Sequence, residues 1–140
     1  NVLLGAKTNQ KLSNSYFSSK AEKNHSLKTI NSLGLSEKTH EPVRRLSGGQ
    51  QRRVAIARTL SQSPSLIMAD EFLSELDEKT INMVLREILD YVRASKAALL
   101  VVEHDVSRAK EMADHLLVID DGRVNPFISE TRTILLEAEK

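Results

Sequence analysis

The chain has 140 residues, about one domain, and its 40% hydrophobic and 28% charged residues are typical of a globular protein that buries a core. A net charge of +1 offers no support for a nucleic-acid-binding protein. No apolar run approaches the roughly 18 residues of a membrane span. Cysteine is absent, which fits a reducing compartment and excludes disulfides and thiolate metal sites. The sequence starts with neither Met nor a signal-peptide pattern, and we expect it to be a piece of a longer protein or a processed product.

Residues 1–45 are polar and rich in Ser, Asn and Lys. A helix is predicted over Ser19–Leu33 because apolar residues recur there at helical spacing, at Leu27, Ile30 and Leu33. Gly34 is placed to end this helix as a C-cap. The preceding segment, Leu12–Ser18, is predicted to be a loop or a helix end.

The rest of the chain alternates apolar strands with amphipathic helices. Helices are predicted over Gln50–Ser61, Glu78–Arg93, Val106–Ala113 and Ser129–Glu139. Strands are predicted over Leu66–Ala69, Ala97–Val102, Leu116–Ile119 and Arg123–Val124, with a hairpin turn at Asp121-Gly122. This order is typical of an α/β fold with a mainly parallel sheet and covering helices. The first two strands are apolar throughout, and they are therefore predicted to be buried on both faces.

An anion site is predicted just before the helix over 50–61, in the sequence Ser47-Gly48-Gly49. The first N–H groups of a helix have no partners within it, and the helix dipole places about half a positive charge there. Glycines let the backbone approach a phosphate, and Ser47 adds a hydroxyl donor. Taken alone, these residues are better explained by an ordinary capped helix start.

Two adjacent carboxylates, Asp70 and Glu71, follow the first apolar strand. Such a strand ends at the carboxyl edge of the sheet, where open α/β folds bind ligands. Asp70 can bind Mg²⁺ directly or through water, and Glu71 can accept a proton from an attacking water. The alternative for the dipeptide alone is a solvated acidic turn.

His104 follows the second apolar strand and is expected at the same sheet edge, where it can donate to a terminal phosphate and position the water. Asp77 is explained locally as the N-cap of the long helix that follows it, and Asp105 is likewise placed to cap a helix. Arg52 and Arg53 are interpreted as solvated side chains.

One segment near the start resembles the end of a P-loop, Gly5-Ala6-Lys7-Thr8. An alanine separates Gly5 from Lys7, the upstream glycine is missing and no strand precedes the segment. We therefore find no P-loop in this sequence.

Four motifs, taken in order, resemble the nucleotide-binding domain of an ABC transporter. They are Leu46–Arg58, Leu66–Glu71, Ser74–Asp77 and Glu103–Asp105. The similarity covers most of residues 42–124, and residues 1–5 are similar to the stretch after the family's glutamine loop. The resemblance implies an incomplete P-loop NTPase-like fold. It places residues 1–45 in the helical subdomain and residues 46–140 in the signature helix and the C-terminal half of the α/β core.

The resemblance also implies a role for each motif residue. The signature motif, which contacts the γ-phosphate of ATP held by the opposite subunit, corresponds to Ser47, Gly48, Gly49 and Gln50. Asp70 corresponds to the Walker B aspartate, which binds the metal, and Glu71 to the catalytic base. Asp77 corresponds to the loop aspartate that communicates across the dimer, and His104 to the switch histidine.

The function implied by the resemblance is hydrolysis of ATP with Mg²⁺ in a head-to-tail dimer with a second nucleotide-binding domain. The dimer drives a transmembrane permease subunit from the cytoplasmic face of the membrane, and nucleic acid is not an expected partner. The family's P-loop, adenine-stacking aromatic and glutamine loop would lie before Asn1. Phe72 stands where proline is usual and Glu75 where a small residue is common, and we expect both to alter the loop after Glu71 while the carboxylates stay in place.

Two alternatives stay open. ATPases of DNA repair, chromosome organisation and translation use related domains, but these insert a coiled coil or pair two such domains. This sequence has no heptad run, and its Gln50-Gln51-Arg52 continuation is similar to transporters. The other alternative is a truncated, non-catalytic interaction domain, which the missing P-loop favours and the intact Glu71 and His104 oppose.

Overall fold

The computed structural model describes residues 1–7 and 19–127. The helices are α1 (Val2–Lys7), α2 (Lys20–Ser32), α3 (Gly48–Ser61), α4 (Glu78–Ser95) and α5 (Val106–Met112), with short 3-10 turns at Ser36–Lys38 and Val43–Arg45. The strands are β1 (Leu66–Asp70), β2 (Ala98–Val102), β3 (Leu116–Asp120) and β4 (Arg123–Phe127). The chain groups into two compact units, Asn1–Val102 and a second unit that begins at Glu103. None of the described helices has the length and apolar character of a membrane span.

Helix α2 begins and ends where its local chemistry predicts. Ser19 and Glu22 form a capping box at its start, and Gly34, with a φ of 66°, ends it in a Schellman motif. The buried face of α2 is not the one that the spacing of apolar residues predicts, because Leu27 is 49% exposed whereas Ser26 is buried. The face of α2 that packs on α1 and α3 is therefore partly polar.

Helix α3 starts at Gly48, two residues before the predicted start, because Ser47 acts as its N-cap. It buries Ile56, Ala57 and Leu60. Helix α1 packs against α3 at Gly5, where an added Cβ would clash with the carbonyl oxygen of Arg58. Glycine at this position allows the two helix backbones to approach closely.

Strands β1 and β2 are parallel, as predicted, and their register runs from Leu66 opposite Ala98 to Asp70 opposite Val102. The prediction that both faces are buried is wrong. Alternate residues of a strand point to opposite faces, and here Ile67 is buried whereas its neighbour Met68 is 74% exposed. The exposed face is formed by Leu66, Met68, Leu100 and Val102. An apolar run indicates that a strand prefers cover on both faces, but it does not supply the covering layer.

Helix α4 connects β1 to β2 and confirms the most regular amphipathic pattern in the sequence. Asp77 caps its first turn, and the buried stripe is formed by Ile81, Val84 and Ile88. Tyr91 Oη donates a hydrogen bond to the carbonyl oxygen of Pro64 (2.7 Å) and so ties α4 to the loop before β1.

The second unit contains α5 and a hairpin. Asp105 caps α5 as predicted, accepting two backbone hydrogen bonds of 2.9 and 3.1 Å. Asp121 and Gly122, with φ values of 45° and 71°, form the predicted turn between the antiparallel strands β3 and β4. The described strands thus form one parallel pair and one hairpin. The segments predicted as loop or helix end (12–18) and as helix (129–139) lie outside the described residues.

Candidate functional site

The N-terminal end of α3, where the sequence predicts an anion site, is a capped helix start. Gln50 N–H donates to Ser47 Oγ (3.3 Å), and Ser47 N–H donates to Gln50 Oε1 (3.0 Å), which completes a capping box. Because the Ser47 oxygen is the acceptor in this pair, its hydroxyl proton can still be donated to a ligand. The capping box does not use the N–H groups of Gly48 and Gly49, which lie at the positive end of the helix dipole.

Asp70 and Glu71 lie at the carboxyl end of β1, as predicted. Asp70 is the last residue of the strand and is exposed, opposite Val102 of β2. Glu71 N–H donates to the Val102 carbonyl oxygen (3.1 Å), so the ladder continues one residue beyond the strand. Glu71 has a φ of 44°, a left-handed conformation that is uncommon for any residue except glycine. The chain therefore turns sharply at the residue expected to be the base.

Two contacts hold the loop after β1 against α3. Arg52 donates from Nη1 to the carbonyl oxygen of Glu71 (2.8 Å), and its Nη2 lies 4.0 Å from Oε2 of Glu75. Glu75 has a φ of 65°, and its Oε2 would be 3.3 Å from a Cβ added at Gly48. Gly48 therefore lies beside the loop that follows the acidic pair within one copy of the chain.

Helix α3 and strand β1 border a groove of about 520 Å³. Gly48 and Asp70 are both among its lining residues. Glu71 is not among its lining residues. Much of the remaining wall is apolar and includes Ile56 and Phe72.

Asp77 forms the helix cap that the sequence predicts. Thr80 Oγ1 donates to Asp77 Oδ2 (2.6 Å), and Thr80 N–H donates to Oδ1 (3.0 Å). These two hydrogen bonds, the side-chain one foremost, hold the pKa of Asp77 below its usual value because they favour the charged carboxylate. The cap is confirmed, and a role across a dimer stays a prediction.

His104 follows the end of β2 after one intervening residue and belongs to the second unit. Next to it, Glu103 and Asp105 lie 3.7 and 3.9 Å from the Arg108 guanidinium. Because β1 and β2 are parallel and end side by side, the chain leaves the sheet at the edge where Asp70 lies. That the imidazole acts with the acidic pair stays a prediction.

The carboxylates of the candidate site fit a magnesium ion only if other ligands complete its coordination. Among the described residues, no group of three or more His, Asp or Glu side chains is placed to hold a metal ion. Mg²⁺ keeps several waters and is usually bound by one or two carboxylates together with substrate phosphates. The exposed Asp70 therefore fits an ion that is held jointly with a nucleotide.

Two arginines have contacts that the sequence analysis missed. Both were interpreted as solvated, yet Arg52 donates to the Glu71 carbonyl oxygen, and Arg53 Nη1 donates to the carbonyl oxygen of Leu33 at the end of α2 (3.0 Å). No local pattern indicates such contacts, because each acceptor is a main-chain oxygen on a distant element.

Comparison with known proteins identifies the family to which this geometry is related. A sequence model described as ABC transporter matches residues 3–74, just over half of the chain. A lipoprotein-releasing system ATP-binding protein, LolD of Zymomonas mobilis, is 40% identical over 107 residues, which cover 76% of this chain and 46% of the relative. An aliphatic sulfonates import ATP-binding protein, SsuB of Albidiferax ferrireducens, is 42% identical over 98 residues, which cover 70% and 35%.

A solved dimeric structure of a bacterial ABC transporter cassette has a similar fold. The TM-score is 0.73 at 28% identity, and the match covers 89% of this chain and 52% of the cassette. The α/β, P-loop NTPase-like fold class is thereby confirmed, in incomplete form. The chain spans about half the length of the curated relatives and cassettes that it matches, or less.

Proposed function

This chain belongs to the ABC transporter family, and from that membership we propose that it is part of the ATP-hydrolysing subunit of a membrane transporter. The observations that support the proposal are that residues 47–50 form the capped start of α3 and that Asp70 and Glu71 lie at the carboxyl end of β1 in the parallel pair. A helix start that binds phosphate and a carboxylate that binds Mg²⁺ are both needed close to a nucleotide for phosphoryl transfer to water. Since the chain spans about half of its relatives, the proposal concerns the full-length protein.

Each site residue has a part in the proposed reaction. Residues 47–50 bind the terminal phosphate of ATP through backbone N–H groups and the Ser47 hydroxyl. Asp70 holds Mg²⁺, which neutralises charge on the phosphates when bound. Glu71 accepts the proton of the attacking water, and His104 donates to the terminal phosphate.

We propose that the active form is a dimer of two such domains. Ser47, Gly48, Gly49 and Gln50 of one domain then contact ATP held by the other, and Asp77 communicates between the two sites. Residues 1–45 belong to the helical subdomain and residues 46–140 to the signature helix and the α/β core. A transmembrane permease subunit holds the dimer at the cytoplasmic face of the membrane. The relatives are named as components of import and release systems, which supports transport over a non-transport ATPase.

The test is Glu71→Gln in the full-length protein. The amide keeps the size of the side chain but cannot accept the proton, so the ATP hydrolysis rate should fall by about 10²–10⁴-fold. ATP binding should persist, and an ATP-bound dimer should accumulate, which gel filtration with MgATP would detect. Glu78→Gln, an exposed carboxylate in the first turn of α4, is the matched control and should hydrolyse ATP normally. Hydrolysis at the wild-type rate by Glu71→Gln would refute Glu71 as the base.

A further inference from the structure

We propose that Arg52 is a positioning residue for the catalytic step, because it ties the helix after the signature segment to the main chain of Glu71. The inference rests on the proposed function, in which Glu71 is the base. It adds a residue that neither the sequence motifs nor the family comparison assigns a role.

The contact is direct and specific. Arg52 Nη1 donates to the Glu71 carbonyl oxygen at 2.8 Å, and the same oxygen accepts the N–H of Ser74 at 3.1 Å. On the other side of the residue, the Glu71 N–H donates to the carbonyl oxygen of Val102 at 3.1 Å. The main chain of Glu71 is thus held by three hydrogen bonds that come from α3, from its own loop and from β2.

This restraint acts on a strained residue. Glu71 has a φ of 44°, a left-handed conformation that is unfavourable for a residue with a Cβ. Such a conformation persists only when its surroundings fix it, and the direction of the Glu71 side chain depends on it. A guanidinium that binds the carbonyl oxygen helps to fix the backbone, and with it the place of the carboxylate.

The geometry of the contact favours arginine over lysine. Nη1 faces the Glu71 oxygen, while Nη2 of the same guanidinium lies 4.0 Å from the Glu75 carboxylate. A planar fork can face two acceptors at once, whereas a lysine ammonium is a single flexible point charge. The Arg52 side chain is 29% exposed, so most of its surface is covered by the protein. The adjacent Arg53 cannot substitute, because its Nη1 is bound to the Leu33 carbonyl oxygen.

A functional consequence follows from where Arg52 lies. It is on α3, the helix whose N-terminal end bears Gly48 and Gly49, and it is bonded to the loop that bears the base. A shift of α3 when phosphate binds at its N-terminal end would therefore move the Glu71 main chain as well. In the proposed dimer, Arg52 thus connects the contact of residues 47–50 with the ATP held by the other domain to the alignment of this domain's own base.

The experiment measures steady-state ATP hydrolysis by the full-length protein with Arg52→Met, which keeps the aliphatic length but removes the donors. Misplacement of a catalytic group should lower kcat by about ten- to a hundredfold. The KM for MgATP should change less than about twofold, because the lost interaction acts in the transition state. Arg52→Lys should have an intermediate kcat, and it serves as the second variant if Arg52→Met does not fold. The matched control is Arg58→Met, six residues further along α3.

A double variant separates positioning from general destabilisation. If Arg52 acts through Glu71, adding Arg52→Met to Glu71→Gln should lower the residual rate by less than about twofold. Amide hydrogen exchange of Glu71 should also become faster in Arg52→Met, while exchange in α4 stays unchanged.

Several outcomes would overturn the inference. One is a wild-type kcat for Arg52→Met, and another is a rate loss that is fully additive with Glu71→Gln. If instead Glu71→Gln itself retains wild-type hydrolysis, the proposed function fails first, and that result is distinct because it does not involve Arg52.

Discussion

At the scale of single residues, the carboxylates fall into two kinds. Asp77 and Asp105 each cap the helix that begins at the next residue, and the sequence was sufficient to predict both caps. Asp70 and Glu71 were predicted at a strand end, where the structure places them, but the contact that restrains Glu71 comes from Arg52. Local chemistry predicts local partners, whereas a partner on another element depends on the packing between elements.

The Asp77 cap has a pH dependence whose sign follows from its lowered pKa. A carboxyl whose pKa is lower in the folded state stabilises the fold above its unfolded pKa, about 3.9, and loses that contribution as the pH falls through the folded value. Asp77→Ala should therefore lower the Tm at pH 7, and by less at an acidic pH below the unfolded pKa. Thermal melts followed by circular dichroism would measure both differences.

Asp77→Asn is the control for this prediction, because asparagine also caps helices but does not titrate in this range. Its Tm should be close to that of the wild type at pH 7, without the acid-dependent loss that belongs to Asp77. An equal destabilisation by Asp77→Ala at both pH values would contradict the assignment of this pKa shift to the cap.

At the scale of elements, the strands and helices were largely predictable and their buried faces were less so. The boundaries of α2, α4 and the hairpin are set by caps and turns that residues close in sequence form. Helix α2 contacts α1 and α3, and Ser26 is among its buried residues. The spacing of apolar residues alone would predict that Leu27 is buried instead. Periodicity indicates that a helix has two faces, but the neighbouring elements decide which is covered.

The contact between α1 and α3 provides a test at this scale. Gly5→Ala should lower the free energy of unfolding by about 1–3 kcal/mol, because the new Cβ would meet the Arg58 carbonyl oxygen on the facing backbone. The effect should appear despite the higher helix propensity of alanine, worth about 1 kcal/mol. Urea unfolding curves would measure it.

Leu4→Ala is the control in the same helix. Leu4 is 61% exposed, and the substitution should change stability by less than about 0.5 kcal/mol. A Gly5→Ala variant that is as stable as the wild type would mean that α1 does not pack against α3 in solution.

At the scale of the whole molecule, the chain has about half the length of the cassettes it resembles and has no P-loop. We expect the isolated chain to bind MgATP poorly, because an anion site at one helix start lacks the enclosing phosphate cradle of a P-loop. Isothermal titration should give a Kd weaker than about 1 mM, that is, less than about 4 kcal/mol of binding free energy.

The full-length protein is the positive control for that titration and should bind MgATP measurably. Tight, stoichiometric binding of MgATP by the isolated chain would contradict this prediction, since the described residues would then have to form a complete nucleotide site.

The sequence by itself determined the order of elements, the helix caps and the hairpin turn, because each depends on interactions between near neighbours in the chain. It also indicated the motif residues 47–50, 70 and 71, whose roles stay predictions. Only the tertiary structure decided that one face of β1 and β2 is exposed, that Gly48 and Asp70 line one groove, and that Arg52 binds the Glu71 main chain. These features depend on which surfaces meet across long stretches of sequence. Packing of that kind is set by the summed shape and burial of whole elements, and no short motif encodes it.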